Sequence, residues 1–183
     1  MNPAANLFLV GPMGAGKSTV GRLVADRLGL AFVDLDHEIE ARSGAAIALI
    51  FELEGEAGFR ARERAALADC TAREGIVLAT GGGAILDPTN RELLRRRGYV
   101  AWLDADVETQ LARLARDRSR PLLRAVDRRE RLVALAAERN LLYAQVADLQ
   151  LPSRSRRNSA QAAQELLAQL AQQWQRQGHG VPA

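Results

Sequence analysis

The chain has 183 residues, 48% apolar and 26% charged, which suits one soluble globular domain with one sizeable core. Twenty-five basic and 22 acidic residues leave a net charge of only +3, too small an excess for a general nucleic-acid binder. No apolar run approaches the ~20 residues needed to cross a membrane, so neither nucleic acid nor a membrane is expected as a partner.

The N-terminal Met1-Asn2-Pro3-Ala4-Ala5-Asn6 has no basic segment and no separate apolar segment, so no signal peptide is expected. The one cysteine, Cys70, has no internal disulfide partner and fits a reducing, cytoplasmic setting. It sits in an alanine-rich helical stretch with no histidine nearby and reads as a small buried side chain. Nothing in the pattern demands more than a monomer.

Leu7-Phe8-Leu9-Val10 is a short continuous apolar run ending at glycine, the pattern of a buried parallel strand. After a glycine-rich turn, Val20, Leu23, Val24 and Leu28 recur at helical spacing, with Gly29 as C-cap. Ala31-Phe32-Val33 predicts a second strand running into Asp34-Leu35-Asp36, followed by an irregular stretch to Ser43-Gly44. Helical patterns pass through Ile47, Ile50 and Phe51, and again over 59–73. Ile76-Val77-Leu78-Ala79 predicts a third strand, ended by Gly81-Gly82-Gly83. A helix is expected over 90–97, a fourth strand over 100–103, and a helix over 107–116 with Leu111 and Leu114 inward. The basic, proline-broken stretch 117–127 interrupts the pattern. Helix resumes through Leu132, Leu135 and Leu142, a last short strand covers 149–151, and a last helix covers 160–174. The tail from Gln175 is expected to fray. Strands alternating with helices imply a parallel α/β sheet covered on both faces, with no internal repeat and no long linker, hence a single domain over 1–183.

Gly11-Pro12-Met13-Gly14-Ala15-Gly16-Lys17-Ser18 matches GxxxxGK[ST] in full, between a strand and a helix. Glycines turn backbone N–H groups toward a phosphate, and the helix N-terminus adds partial positive charge. Lys17 is placed to reach the β- and γ-phosphates of ATP and Ser18 to hold Mg²⁺. The motif implies nucleotide binding and leaves the acceptor open.

Asp34 and Asp36 lie two apart at the expected end of the second strand, which puts both carboxylates on one face near the phosphate loop. One suits a Mg²⁺-bound water, the other an acceptor hydroxyl. Arg60 and Glu63 are three apart on an expected helix and can pair. A paired arginine presents a fixed fork suited to a carboxylate, though an exposed ion pair of little consequence fits the same pattern. Three glycines at 81–83 weaken a fold unless something must approach the backbone closely. Arg113, Arg116, Arg118, Arg120 and Arg124 crowd the proline-broken stretch, which suits a mobile flap over ATP, with Arg120 on the transferring phosphate. The pattern places Arg139 toward either the cleft or solvent, and Arg156-Arg157 toward either a purine or the surface.

Taken together, these pieces resemble the shikimate kinase family. The resemblance runs from about Asn6 to Leu170 and is carried by 11–19, Asp34-Leu35-Asp36, Gly55-Glu56 with Phe59-Arg60 and Glu63, Gly81-Gly82-Gly83, Arg120-Pro121-Leu122-Leu123, and Arg139 ahead of Leu142-Tyr143. Only the first piece is specific alone; their joint order is highly specific. The resemblance implies a P-loop kinase fold like that of nucleoside monophosphate kinases, a five-stranded parallel sheet in the order 2-3-1-4-5 flanked by helices, with a mobile lid at about 116–127. It implies transfer of the γ-phosphate of ATP to the 3-hydroxyl of shikimate, on the route to chorismate and the aromatic amino acids.

By that resemblance Lys17, Asp36 and Arg120 are the catalytic residues. Asp36, Arg60, Gly82, Gly83 and Arg139 bind shikimate, the two arginines through its carboxylate. Gly14, Ala15, Gly16, Lys17, Ser18, Thr19, Arg120 and Arg157 bind ATP, and Ser18 and Asp34 serve Mg²⁺. Departures are small: Gly58 precedes Phe59-Arg60, Met13 fills a variable loop position, and a glutamine-rich tail follows Leu170. A gluconate-kinase-like small-polyol kinase shares the phosphate loop and the Asp-x-Asp, but explains Phe59-Arg60 with Glu63 and the triple glycine less well. A non-catalytic module that binds ATP or shikimate is the alternative from another class; such modules tend to lose the acid or the lid arginine, and both are present here. With aromatic residues at 4%, few side chains are available to stack on a nucleobase acceptor.

Overall fold

The computed structural model describes residues 5–115, 127–153 and 158–174. Five strands, β1 (Leu7–Val10), β2 (Ala31–Asp34), β3 (Ile76–Ala79), β4 (Tyr99–Ala105) and β5 (Leu149–Ser153), form one sheet in the order β2-β3-β1-β4-β5. Every pairing is parallel, with Leu9 opposite Ala79 and Ala101, and Asp34 opposite Ala79 on the far side of β3. This is the architecture and strand order expected.

The side-chain alternation of the strands divides the core. Leu7 and Leu9, with Val77, Tyr99, Ala101, Leu103, Leu149 and Leu151, pack on one face against α1 (Lys17–Leu28) and α7 (Ser159–Gln173). Phe8 and Val10, with Ile76, Leu78, Val100 and Trp102, pack on the other. There they meet α2 (Leu35–Ser43), α3 (Ile47–Thr71), α4 (Pro88–Arg97) and α6 (Arg128–Val146). A strand buried on both faces has no polar side to show, which is why β1 and β3 read as unbroken apolar runs. Trp174, at the end of α7, is buried against Tyr99, with ring centroids 5.9 Å apart. Cys70 is buried on α3, as its alanine-rich helical setting predicts.

The structure departs from the sequence expectations at several boundaries. The stretch after Asp34 is helical from Leu35, because the Asp34 carboxylate accepts from the N–H groups of Asp36 and His37 and starts α2 with no intervening loop. Asp34 and Asp36 therefore do not share a strand face: the first ends β2 and the second lies in the first turn of α2. The helix α4 begins at Pro88, capped by Asp87. The two helical patterns of α3 are two helical segments joined by a kink at Gly55, whose φ of 69° and ψ of −173° are not helical. The helix α5 (Val107–Leu114) stops two residues before the expected end. The expected lid (apart from Asp127, which caps α6), with Arg120 inside it, Arg157 and the tail from Gln175 lie outside the described residues.

At the N-terminal edge of the sheet, Asn6 is buried and fully used. Its amide donates to Arg73 O at 2.7 Å and Arg97 O at 3.3 Å and accepts from Ile76 N at 3.2 Å. It ties the end of α3 and the end of α4 to the start of β3. We expect Asn6→Ala to lower stability by about 1–3 kcal/mol, because it strands buried backbone groups. Urea denaturation should show a lower midpoint with an unchanged m-value.

Candidate active site

The carboxyl ends of β1, β2 and β3 open on a cavity of about 400 Å³. Its lining includes Gly14, Ala15, Gly16, Lys17, Ser18 and Thr19 from the phosphate loop and α1, with Asp34, Asp36, Gly81 and Gly82. Gly16 is the N-cap of α1 at φ 91°, a conformation a side chain would resist, so the loop turns directly into the helix. The Lys17 ammonium is held by the loop itself, donating to Gly11 O at 2.7 Å and Pro12 O at 2.8 Å. Arg113 of α5, which also lines the cavity, braces the loop by donating to Gly14 O at 2.9 Å and Ala15 O at 3.1 Å.

Ser18 Oγ donates to Asp34 Oδ2 at 2.5 Å, while Asp34 Oδ1 caps α2. A hydroxyl and a carboxylate oxygen thus converge beside the phosphate loop, a donor set that fits a divalent cation shared with phosphate oxygens and water. Among the described residues, no group of three or more His, Cys, Asp or Glu converges to form an all-protein cage.

On the acceptor side two of the three glycines, Gly81 and Gly83, are explained by what crowds them, while Gly82 lies at contact distance from the phosphate loop. A Cβ on Gly81 would sit 2.9 Å from Glu63 Oε1 and 3.0 Å from Asp36 Oδ1. One on Gly82 would sit 3.4 Å from Met13 N, against the phosphate loop. One on Gly83 would sit 2.6 Å from Arg60 Nη1 and 2.7 Å from Arg60 Cζ. The turn after β3 is a bare shelf on which Asp36, Glu63, Arg60 and the phosphate loop all rest.

Arg60 is held by two carboxylates on its own helix. Its Nη1 meets Glu63 Oε2 at 2.7 Å and its Nη2 meets Glu56 Oε1 at 3.0 Å. The pair is not an idle surface contact, since Glu63 is only 1% exposed. Burial pushes the Glu63 carboxyl above its ordinary range, against the pull of Arg60, and its Oε1 has no hydrogen-bond partner. Burial works against the Arg60 charge, but the two glutamates outweigh it and hold the guanidinium firmly ionised.

Arg139, for which sequence left two orientations open, is 5% exposed and points inward. It does not line the main cavity; it borders a pocket of about 10 Å³ beneath the phosphate loop, with Pro12, Met13, Gln110 and Tyr143. Its electrostatic links run to Glu63 and Tyr143. Sequence reasoning passed over Thr80, which lines the cavity, and over the role of Arg113 as a brace for the loop. An arginine in the last turn of an amphipathic helix carries no signal of the loop it will touch.

The family model described as "Shikimate kinase" matches residues 13–171. The chain belongs to the shikimate kinase family. It is 52% identical to a shikimate kinase of Stenotrophomonas maltophilia (strain R551-3) over 177 residues, which cover 97% of this chain and 98% of that protein. A solved structure of shikimate kinase from Acinetobacter baumannii in complex with shikimate is 47% identical, with a TM-score of 0.89 over 91% of this chain and 93% of that one. A sugar kinase from Janibacter sp., 19% identical with a TM-score of 0.60, shares the fold alone.

In this shikimate kinase family member, the buried Glu63 gives a titration signature. The folded-state carboxyl holds its proton to higher pH than the unfolded one, whose ordinary value is 4.5. Folding is therefore favoured below that value and loses stability as pH rises through the raised folded-state value. Glu63→Gln cannot titrate, so its stability relative to the parent should increase as pH rises from about 4.5 toward neutrality. Urea denaturation across that range checks it; parallel pH profiles would contradict it.

Proposed function

We propose that this chain is a shikimate kinase, moving the γ-phosphate of ATP to the 3-hydroxyl of shikimate and leaving shikimate 3-phosphate and ADP. The observation that carries the reading is that Asp36 and the phosphate loop line one cavity, so an acceptor hydroxyl held by Asp36 faces the end of a triphosphate held by the loop. The high identity to named shikimate kinases over nearly the full length supports the choice of acceptor. The sugar-kinase likeness, limited to fold, gives no comparable support to a gluconate-kinase-like reading.

In this account the acceptor oxygen attacks the γ-phosphorus in line, the bond to the β–γ bridging oxygen breaks, and Asp36 orients the hydroxyl and takes its proton. Lys17, released from the carbonyls it now meets, follows the β- and γ-phosphates. Arg120 stabilises charge on the transferring group, and Arg157 lies beside the adenine; both assignments rest on the sequence resemblance. Arg60 and Arg139 hold the acceptor carboxylate, and the N–H groups of Gly82 and Gly83 donate to the acceptor. Ser18 and Asp34 would hold Mg²⁺, which supplies positive charge to the phosphates. Excluding water at the moment of transfer falls to the lid at 116–127.

One P-loop kinase domain over 1–183, acting as a cytoplasmic monomer, completes the proposal. The chain itself supplies both halves of the cavity, so no second copy is needed to build it. Its lone, buried Cys70 suits a reducing compartment.

ADP release with Mg-ATP and shikimate, quinate, gluconate, AMP or no acceptor tests the reaction. Saturable release with shikimate alone is expected; release with gluconate or AMP instead would overturn the acceptor. Asp36→Asn should keep ATP affinity and lose kcat by about 10²-fold or more.

A further inference from the structure

Tyr143, on α6, is a large buried side chain whose hydroxyl does something specific. It donates to Gly82 O at 2.6 Å. Its ring stacks on Trp102 of β4, with centroids 5.6 Å apart and planes 28° from parallel, so it cannot swing away. Burial keeps the phenol protonated far above its ordinary range, and a protonated phenol is the form that donates.

The carbonyl of Gly82 and the N–H of Gly83 belong to one planar peptide unit and point in opposite directions. Fixing one fixes the other. Two successive glycines leave this unit freer to rotate than any other sequence would. Neither the Gly82 nor the Gly83 N–H donates to an acceptor among the described residues. Arg139 lies one helical turn before Tyr143 and faces the same phenol, and Glu63 faces both.

We infer that Tyr143 is a positioning residue for the acceptor: by pinning the Gly82 carbonyl against the Trp102-backed ring, it aims the Gly83 N–H into the acceptor side and keeps Arg139 beside it. The inference rests on the reading of this cleft as the acceptor site. It explains why a tyrosine rather than a phenylalanine stands at the core end of α6, where packing alone needs only the ring.

Tyr143→Phe keeps the ring and removes the hydroxyl. In the full chain the acceptor KM should rise about tenfold, because the unpinned peptide must be ordered each time the acceptor binds. The ATP Kd should stay near the parent value, and the melting temperature should fall by no more than several degrees. The Gly83 amide resonance in ¹⁵N-labelled free protein should shift or broaden, with the phosphate-loop glycines unmoved. A variant with unchanged acceptor KM and an unchanged Gly83 resonance would overturn the inference, while shikimate turnover by the parent would leave the functional reading standing. If the variant loses stability so that acceptor KM and ATP Kd worsen together, Tyr143 is a packing residue and the inference falls. If the parent protein turns over no shikimate at all, the functional reading fails first and takes this one with it.

Discussion

The acceptor half of the site depends on three residues that have no side chains. The turn after β3 carries Gly81, Gly82 and Gly83, and each is overlain by a different part of the machinery. Asp36 and Glu63 close on the first, the phosphate loop on the second, and the Arg60 guanidinium on the third. At Gly81 and Gly83 this approach is possible only because no Cβ intervenes, whereas at Gly82 a Cβ would meet the loop at ordinary contact distance. Because β3 lies between β1 and β2, this shelf sits between the phosphate loop, which follows β1, and Asp34, which ends β2. The sheet order and the bare shelf together bring the nucleotide and acceptor sides within one cavity.

The charges around the shelf are arranged so that no arginine acts alone. Glu63 is buried at a cost that only a nearby guanidinium makes tolerable, and its first service is to hold Arg60. The same carboxylate feels Arg139 from α6 and Asp36 from α2, so three helices are electrostatically joined at one buried group. On the nucleotide side Asp34 does double duty, capping α2 with one oxygen and meeting Ser18 with the other. The cap that starts the helix is thus also what directs the second oxygen to the phosphate loop.

Much of this was legible in the residues, for physical reasons that differ from place to place. The strands β1 and β3 were plain because burial on both faces leaves continuous apolar runs, and the phosphate loop was plain because its glycine spacing has few other uses. The paired acids are legible in the sequence, but strand alternation predicts a shared face for them where the Asp34 cap has already begun a helix. The pairing of Arg60 with Glu63 follows from helical spacing, whereas the burial of Glu63 does not, since it depends on how α3 bends at Gly55 and returns to β3. Arg139 was undecided because either face of α6 fits its spacing. Tyr143 was visible only as part of a family pattern; that its hydroxyl reaches a glycine carbonyl 61 positions away is a tertiary fact with no local trace.

The most direct test of the shelf is Gly83→Ala. The backbone there, with φ −102° and ψ 0°, accepts alanine without strain, so any effect comes from the added methyl alone. That methyl would meet the mobile end of Arg60 rather than backbone, so the fold should survive and the guanidinium should move. If the account holds, the variant melts near the parent temperature, binds ATP as before, and shows a markedly raised KM for shikimate. An unchanged shikimate KM in a stable variant would mean that Arg60 is not held against the shelf when the enzyme works, and the account of the acceptor side would be wrong.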